Sequence, residues 1–144
     1  MSVFGKRIDA LNVRVQAKTK TAVVRIITTV ARAVINQTPV DKGRLINNWY
    51  ASNTRPSTRS NKKRDPSGKK SLARVARAVR RLKLGQTFYL SNNLPYAAVV
   101  EYGRYPNPPK KGKGKTINGF SKQAPQGMAR IGLKKGMAKV KAVQ

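Results

Sequence analysis

The chain changes from helix to strand between residues 23 and 50, where it reads VVRIITTVARAVINQTPVDKGRLINNWY. Apolar residues recur within this stretch and upstream of it at spacings of three, four or seven, which is the period of one helix face. The stripe begins at Phe4, and Ser2 is placed to cap the first turn. Because Pro39 pushes the residue before it out of the helical region, the pattern predicts one helix over residues 3–37.

A helix of this length measures about 50 Å, which is long for so small a chain. Its first half carries a thin apolar stripe among basic residues, whereas Val23, Ile27 and Val34 widen the stripe in the second half. Two arrangements fit this pattern. The helix either lies fully across its own sheet, or its N-terminal half projects onto a neighbouring molecule.

A turn and then a strand are predicted after this helix. In residues 38–43, the Asp41 side chain can bond the backbone two residues on, and Gly43 can adopt a positive φ. Alternating side-chain directions then favour a strand over residues 45–52. We place Trp49 on the inner face of that strand.

A second strand is predicted over residues 87–91, which are rich in aromatic and β-branched side chains. We expect Leu90 to be buried on the same sheet face as Trp49, against Ile26 or Val30 of the long helix. The fold class that follows is α+β, with a long N-terminal helix packed on a small, mainly antiparallel sheet and short additional helices. The length suits a single domain, residues 1–144.

Shorter helical segments complete this prediction. Residues 71–83 have one apolar face, with Ser71 able to cap the helix and Gly85 able to stop it. Residues 96–102 are predicted as a brief helical turn. Pro125 is expected to be the first residue of the last helix. The glycines of that segment should weaken it by roughly 0.5–1 kcal/mol each.

The composition excludes most catalytic chemistry. The 144 residues include 32 Lys or Arg, 4 Asp or Glu, no His and no Cys, which gives a formal net charge of +28. Imidazole bases, Ser–His triads, the usual zinc sites and thiol chemistry are therefore excluded. A paired-carboxylate or two-metal mechanism would need acids that lie far apart in sequence to converge. We expect no enzymatic activity, no metal and no cofactor. Because Glu101 is one of only four acidic residues, we expect it to form an ion pair with a cation such as Arg44.

Two long segments, residues 53–70 and 103–122, concentrate the positive charge. The first has no large apolar side chain, so it is either functional or disordered until a partner orders it. So high a charge indicates a polyanionic partner, and the scarcity of aromatic residues among the charges favours phosphate contact over base reading. The residues predicted to contact DNA or acidic protein surfaces are Lys62, Lys63, Arg64, Lys69, Lys70, Lys110, Lys111, Lys113 and Lys115.

Three segments, taken in order, carry a resemblance to a known family. The first is residues 37–45, QTPVDKGRL, followed by Asn48 and Trp49; the second is residues 88–103, FYLSNNLPYAAVVEYG; the third is residues 123–128, QAPQGM. Behind a long N-terminal helix, this set resembles the small neck or tail-completion proteins of long-tailed bacteriophages, the minor-tail-protein-Z-like group. The motif residues are Thr38, Pro39, Asp41, Gly43, Trp49, Asn92, Asn93, Pro95, Tyr96, Glu101, Tyr102, Gly103, Pro125 and Gly127.

The resemblance implies a structural virion protein of the phage neck. Members of the family form a homo-oligomeric ring, thought to be hexameric, between the head-closure or connector complex and the tail-terminator or tail proteins. Such a ring would take part in head–tail joining and surround the DNA channel, where the packaged DNA is a possible sequence-nonspecific partner. The basic loops of this chain are richer in lysine and arginine than the family pattern.

The alternative is a free, sequence-nonspecific nucleic-acid-binding protein of the nucleoid or ribosomal type. The composition fits it, but the three motifs do not. No apolar run approaches the roughly 18 residues of a membrane span, and the first residues lack the pattern of a signal peptide. We therefore expect no membrane partner and synthesis in the bacterial host cytoplasm, with the virion neck as the final location.

Overall fold

The computed structural model describes residues 2–110 and 114–143 and has an α+β architecture, as predicted. One antiparallel pair is formed by β1 and β2, and a second by β3 and β4. In chain order the elements are α1 (Val3–Gln37), α2 (Arg44–Asn47), β1 (Trp49–Ser52), α3 (Lys69–Arg81), β2 (Tyr89–Asn92), α4 (Ala97–Tyr102), β3 (Thr116–Ile117), β4 (Phe120–Ser121) and α5 (Ala129–Lys141).

Helix α1 begins and ends where the sequence predicts. The Gly5 N–H donates to Ser2 Oγ at 3.1 Å, so Ser2 is the N-cap, and the chain leaves the helix at Thr38, just before Pro39. Of the two arrangements open for this helix, the structure excludes the one in which the helix lies fully across its own sheet, because its N-terminal half projects from the fold. The contact of that half with a neighbouring molecule stays a prediction. Residues 3–22 carry exposed side chains almost throughout, and contact with the remainder of the chain begins at Val23. We call residues 3–22 the arm; it is about 30 Å long.

The C-terminal half of α1 packs closely against α5. A Cβ atom on Gly132 would lie 2.4 Å from Cα of Val34, and one on Gly136 would lie 2.7 Å from Cα of Val30. The two glycines, expected to weaken α5, thus permit the close approach of the helix backbones. Packing compensates for their poor helix propensity.

The predicted strand over residues 45–52 is wrong in its first half. Residues Arg44–Asn47 form the short helix α2, and the strand begins only at Trp49. Leu45, Ile46 and Asn47 are all buried. A strand sends neighbouring side chains to opposite faces, so a helical turn is needed to bury three consecutive residues on this side of the core.

The predicted sheet face shared by Trp49 and Leu90 is confirmed, but only Trp49 is fully buried. In the antiparallel register Trp49 lies opposite Asn92, and Ala51 opposite Leu90, so Trp49 and Leu90 share one face. Trp49 is 4% exposed, and its Nε1–H donates to Thr38 Oγ1 at 2.8 Å. Leu90 is half-buried, and it lines the same apolar groove as Trp49 and residues Ile26 and Val30 of α1.

Helix α3 begins two residues earlier than predicted, and Ser71 is not its cap. Gly68, with φ of +69°, precedes the helix, and the Asp65 carboxylate accepts the Lys70 N–H at 2.8 Å. Ser71 is buried one turn inside, where its hydroxyl donates to the carbonyl of Ile46 at 2.7 Å. The helix also ends before Gly85, because Leu82 turns into the core in an extended conformation.

The last helix starts later than predicted. Pro125 lies outside α5, which begins at Ala129. The position of this start is set from a distance, because the side chain of Glu101 binds the first N–H groups of α5. The loop predicted over residues 103–122 also contains the small β3–β4 hairpin.

Candidate functional site

The three family-like motifs meet around one groove. This groove has a volume of about 590 Å³, and its walls include Pro39, Asp41 and Gly43 from the first motif, Tyr96 from the second and Gln123 from the third. Burial raises the pKa of Tyr96, as it does for Tyr105, which also lines the groove. Parts of all three motifs therefore lie around one groove, although up to 84 positions separate them in sequence.

The first and third motifs are joined by a pair of amide hydrogen bonds. Gln123 Nε2 donates to the carbonyl of Val40 at 2.9 Å, and the Val40 N–H donates to Gln123 Oε1 at 2.8 Å. The Gln123 side-chain amide thus binds both the N–H and the carbonyl of Val40, as a backbone partner would. It lay inside the quoted third motif but was not among the predicted site residues, because a lone glutamine carries no spacing signal.

The Asn-Asn-Leu-Pro turn of the second motif supports its neighbours. Asn92 Nδ2 donates to the carbonyl of Leu45 at 2.9 Å, while its Oδ1 accepts the Leu94 N–H at 3.3 Å. Asn93 Nδ2 donates to the carbonyls of Ser57 and Arg59 and so holds the first basic loop. Pro95 lies exposed in the turn that leads into α4. These amides serve backbone groups, which explains their occurrence at this turn.

Glu101 does not pair with Arg44, as the sequence suggested, but with Arg130. The Arg130 Nε donates to Glu101 Oε1 at 2.7 Å, and the carboxylate also accepts the N–H groups of Met128, Ala129 and Arg130. Arg44 instead donates from Nε to the carbonyl of Asn61 at 3.4 Å. Burial acts to raise the pKa of Glu101, but the hydrogen bonds from Arg130 and from the backbone outweigh it, so the pKa is lowered.

The residues around Glu101 complete this junction. Gly103 has φ of +65°, and a Cβ there would lie 2.3 Å from the ring of Phe120. Gly127 has φ of +102°, and its Cβ would lie 2.6 Å from the Glu101 carbonyl oxygen. Tyr102 is exposed, with the guanidinium groups of Arg104 and Arg130 about 5 Å from its ring. This part of the motif set therefore fastens α4 to α5.

The first basic loop is held in place by hydrogen bonds within the chain. Asn61 is the central residue: its Oδ1 accepts from Asn47, its Nδ2 donates to the Tyr50 hydroxyl at 2.6 Å, and its N–H donates to Asn48 Oδ1 at 2.8 Å. From the sequence, this loop was expected either to be functional or to be ordered by a partner. Sequence reasoning did not predict that amide hydrogen bonds within the chain would hold it. The side chains of the five basic residues predicted as contacts all lie exposed: Lys62, Lys63, Arg64, Lys69 and Lys70.

The second basic loop is described only in part. Lys110 and Lys115 are exposed, and Lys115 Nζ lies 3.4 Å from Asp41 Oδ1 in an ion pair whose side chains are both 72% exposed. Such a pair contributes little, about 0–1 kcal/mol. Lys111 and Lys113 lie outside the described residues.

Few of the positive charges are neutralised within the described chain. Asp41 pairs with Lys115 and Glu101 with Arg130, while Asp65 serves the start of α3. Hydrogen bonds from the Ser67 side chain and the Lys70 N–H lower the pKa of Asp65. In residues 2–110 and 114–143, no three Asp, Glu, His or Cys side chains form a group that could hold a metal ion.

Comparisons with protein-family models, with curated proteins and with solved structures return no match to this chain. The resemblance to phage neck proteins therefore stays a prediction that depends on the three motifs. Within the described residues, no helix has both the length and the apolar composition needed to cross a bilayer.

Proposed function

We propose that the protein is a non-enzymatic structural subunit of a bacteriophage neck. Copies of it form a homo-oligomeric ring that joins the head-closure complex to the tail around the DNA channel of the virion. The observation that carries the proposal is an unpartnered apolar stripe on the arm, together with an open apolar groove on the same molecule. The ordered motifs and the exposed basic loops agree with a ring beside DNA.

The stripe lies on one side of the arm. Phe4, Ile8, Leu11 and Val15 follow one another at spacings of four, three and four, so they share a helix face. Phe4 is 74% exposed and Leu11 57%. Apolar side chains so placed on a projecting helix are typical of a protein–protein contact.

The groove lies beside the other half of α1. It has a volume of about 550 Å³ and is lined by apolar residues of α1, α5 and the β1–β2 pair; of the described residues, Arg130 is the one charged residue in its walls. Leu133 and Met137 of α5 lie partly exposed at its margin. The groove thus offers apolar surface of the kind the stripe requires.

The geometry favours a second copy of this chain as the partner that fills the apolar groove. The arm and one wall of the groove are parts of the same continuous helix, α1, so the arm cannot bend back into its own groove without breaking that helix. The arm of the next molecule can enter it. A contact between two different surfaces of identical chains is head-to-tail, and such contacts close into a ring when the rotation permits.

The arm contact is tested with two matched substitutions. Leu11→Glu places a charge on the stripe, whereas Val13→Glu places it on the opposite side of the same helix, where Val13 is 67% exposed. Analytical ultracentrifugation should show rings for the wild type and for Val13→Glu, and monomers for Leu11→Glu. Equal behaviour of the two variants, or a monomeric wild type at high concentration, would overturn the arm contact.

The proposed location in the phage neck is tested on purified virions. Quantitative mass spectrometry of intact virions, purified from cells that encode the protein, should find it in fixed stoichiometry with the head-closure and tail proteins. Particles made with Leu11→Glu should lack joined heads and tails. Recovery with host nucleoid or ribosomes, and absence from particles, would instead support the free nucleic-acid-binding alternative.

A further inference from the structure

A further cleft, which shares no lining residue with the groove of the motifs, is lined by arginines. It has a volume of about 510 Å³ and lies between β1, the start of the first basic loop and α3. Arg59, Arg74, Arg77 and Arg81 contribute to its walls, and no acidic residue does. We call it the arginine cleft.

Arg74 is held rigidly in this cleft by neutral groups. Its Nη1 donates to the carbonyls of Asn47 and Trp49, the latter at 3.0 Å, and its guanidinium lies 4.3 Å from the centre of the Tyr50 ring. The side chain is half-buried, yet neither ion pair of the described chain involves it. A partly desolvated charge without a counter-ion favours an anion supplied from outside.

The other arginines of the cleft are free to bind such an anion. Arg59, Arg77 and Arg81 are exposed, and their guanidinium groups have no ion-pair partner among residues 2–110 and 114–143. Each guanidinium presents a planar fork of donors that matches the oxygens of a phosphate.

The cations also form a row. Lys70, Arg74, Arg77 and Arg81 follow one face of α3 at spacings of four, three and four. Their Cα atoms span about 16 Å along the helix axis, a length that covers roughly five phosphates of one strand of duplex DNA.

We propose that the arginine cleft binds the phosphate groups of a nucleic-acid backbone, without reading bases. An acidic peptide is disfavoured because the cleft offers, apart from Tyr50, only small or polar residues and gives an apolar anchor no pocket. Contact with phosphates needs only the charge and the fork geometry. The arginines of the cleft are not among the basic residues that the sequence predicted as contacts, and only Lys70, from the row along α3, belongs to both sets. The cleft proposal is compatible with the ring proposed above but does not depend on it.

The test measures how the affinity of the full chain for a short DNA duplex of mixed sequence falls with salt. The double variant Arg77→Gln/Arg81→Gln removes two forks and leaves Arg74, which supports β1, in place. Its slope of log K against log salt should flatten by about 1.8, since each phosphate contact contributes about 0.9. The control Arg7→Gln/Arg14→Gln removes the same charge from exposed positions of the arm and should leave the slope unchanged.

Each outcome decides the proposal. Equal flattening in both double variants would mean that only net charge matters, and no flattening in the cleft variant would mean that the cleft does not bind DNA; either overturns it. A cleft variant that loses binding to poly-glutamate but keeps the wild-type DNA slope would assign the cleft to acidic proteins instead. Unchanged circular dichroism and Trp49 fluorescence show that the variants are folded. The ring is tested with substitutions in the arm and with purified virions, whereas the cleft is tested with substitutions in α3. The ring proposal and the cleft proposal can therefore fail independently.

Discussion

The substitution Glu101→Gln removes the carboxylate that holds the start of α5. In the folded chain this carboxylate accepts three backbone N–H groups and the Nε–H of Arg130. Glutamine has one side-chain acceptor oxygen, so its NH₂ group would face N–H donors on one side. We therefore expect α5 to lose its remote cap and to pack less well on α1.

The expected loss of stability is about 2–3 kcal/mol. Loss of a helix cap costs about 1–2 kcal/mol. The ion pair adds about 1 kcal/mol, because the Arg130 side chain is 58% exposed and solvent screens it. For a chain of this size, the midpoint of thermal unfolding should fall by about 6–9 °C, at about 3 °C per kcal/mol.

Thermal unfolding is followed at neutral pH by circular dichroism and by the fluorescence of Trp49, the single tryptophan. The control is Asp9→Asn, which makes the same change in charge at an exposed residue of the arm. Asp9→Asn should have the same midpoint of thermal unfolding as the wild type. If Glu101→Gln also unfolds with the wild type, the cap does not stabilise α5 and the account of this junction is wrong.

The same group predicts a dependence on pH. Because the pKa of Glu101 is lower in the folded chain than its ordinary value near 4.5, the unfolded chain binds more protons at this group. Its stabilisation is complete above the ordinary pKa and is lost as the pH falls through the lowered one. Asp65 acts in the same direction. The wild type should therefore lose more stability in acid than Glu101→Gln, and parallel acid titrations of stability would contradict the assignment.

Two further predictions concern the core. Gly132→Ala would place its Cβ 2.4 Å from Cα of Val34, so it should destabilise the chain by about 1–3 kcal/mol in urea unfolding, despite the better helix propensity of alanine. Gly5→Ala in the arm is the control and should not destabilise; equal effects would show that α1 and α5 are not closely packed. Trp49→Ala should cost about 3–5 kcal/mol. Trp49→Phe should cost less, because it loses chiefly the hydrogen bond to Thr38, and a wild-type stability for Trp49→Ala would refute the burial of this ring.

Short-range patterns were sufficient to predict much of this fold. The period of apolar residues and the steric effect of Pro39 predicted the full extent of α1. Alternation along the strands placed Trp49 and Leu90 on one face of the sheet. The exposure of the five basic residues of the first loop also follows from composition, because no apolar surface there could bury them.

Tertiary contacts decided the features that sequence reasoning missed. The start of α5 and the partner of Glu101 depend on groups 27 to 29 positions away along the chain. The glycines of α5 weaken an isolated helix, and only the nearby backbone of α1 shows that larger residues would not fit.

The candidate site divides in the same way. The chemistry of Asp41 and Gly43 predicted the turn at residues 38–43, but the groove that the three motifs share and the pairing of Gln123 with Val40 exist only once residues 83 positions apart are in contact. The sequence predicted a helix with one apolar face over residues 71–83, whereas the arginine cleft requires β1 and the start of the first loop beside that helix. Local rules act over a few residues through backbone sterics and periodicity, and so the amino-acid sequence by itself determined the bounds of α1, the presence of the other long helices and the charged segments. Which distant donor meets which acceptor, and how closely two helices approach, depends on the packed chain as a whole, and only the tertiary structure decided it.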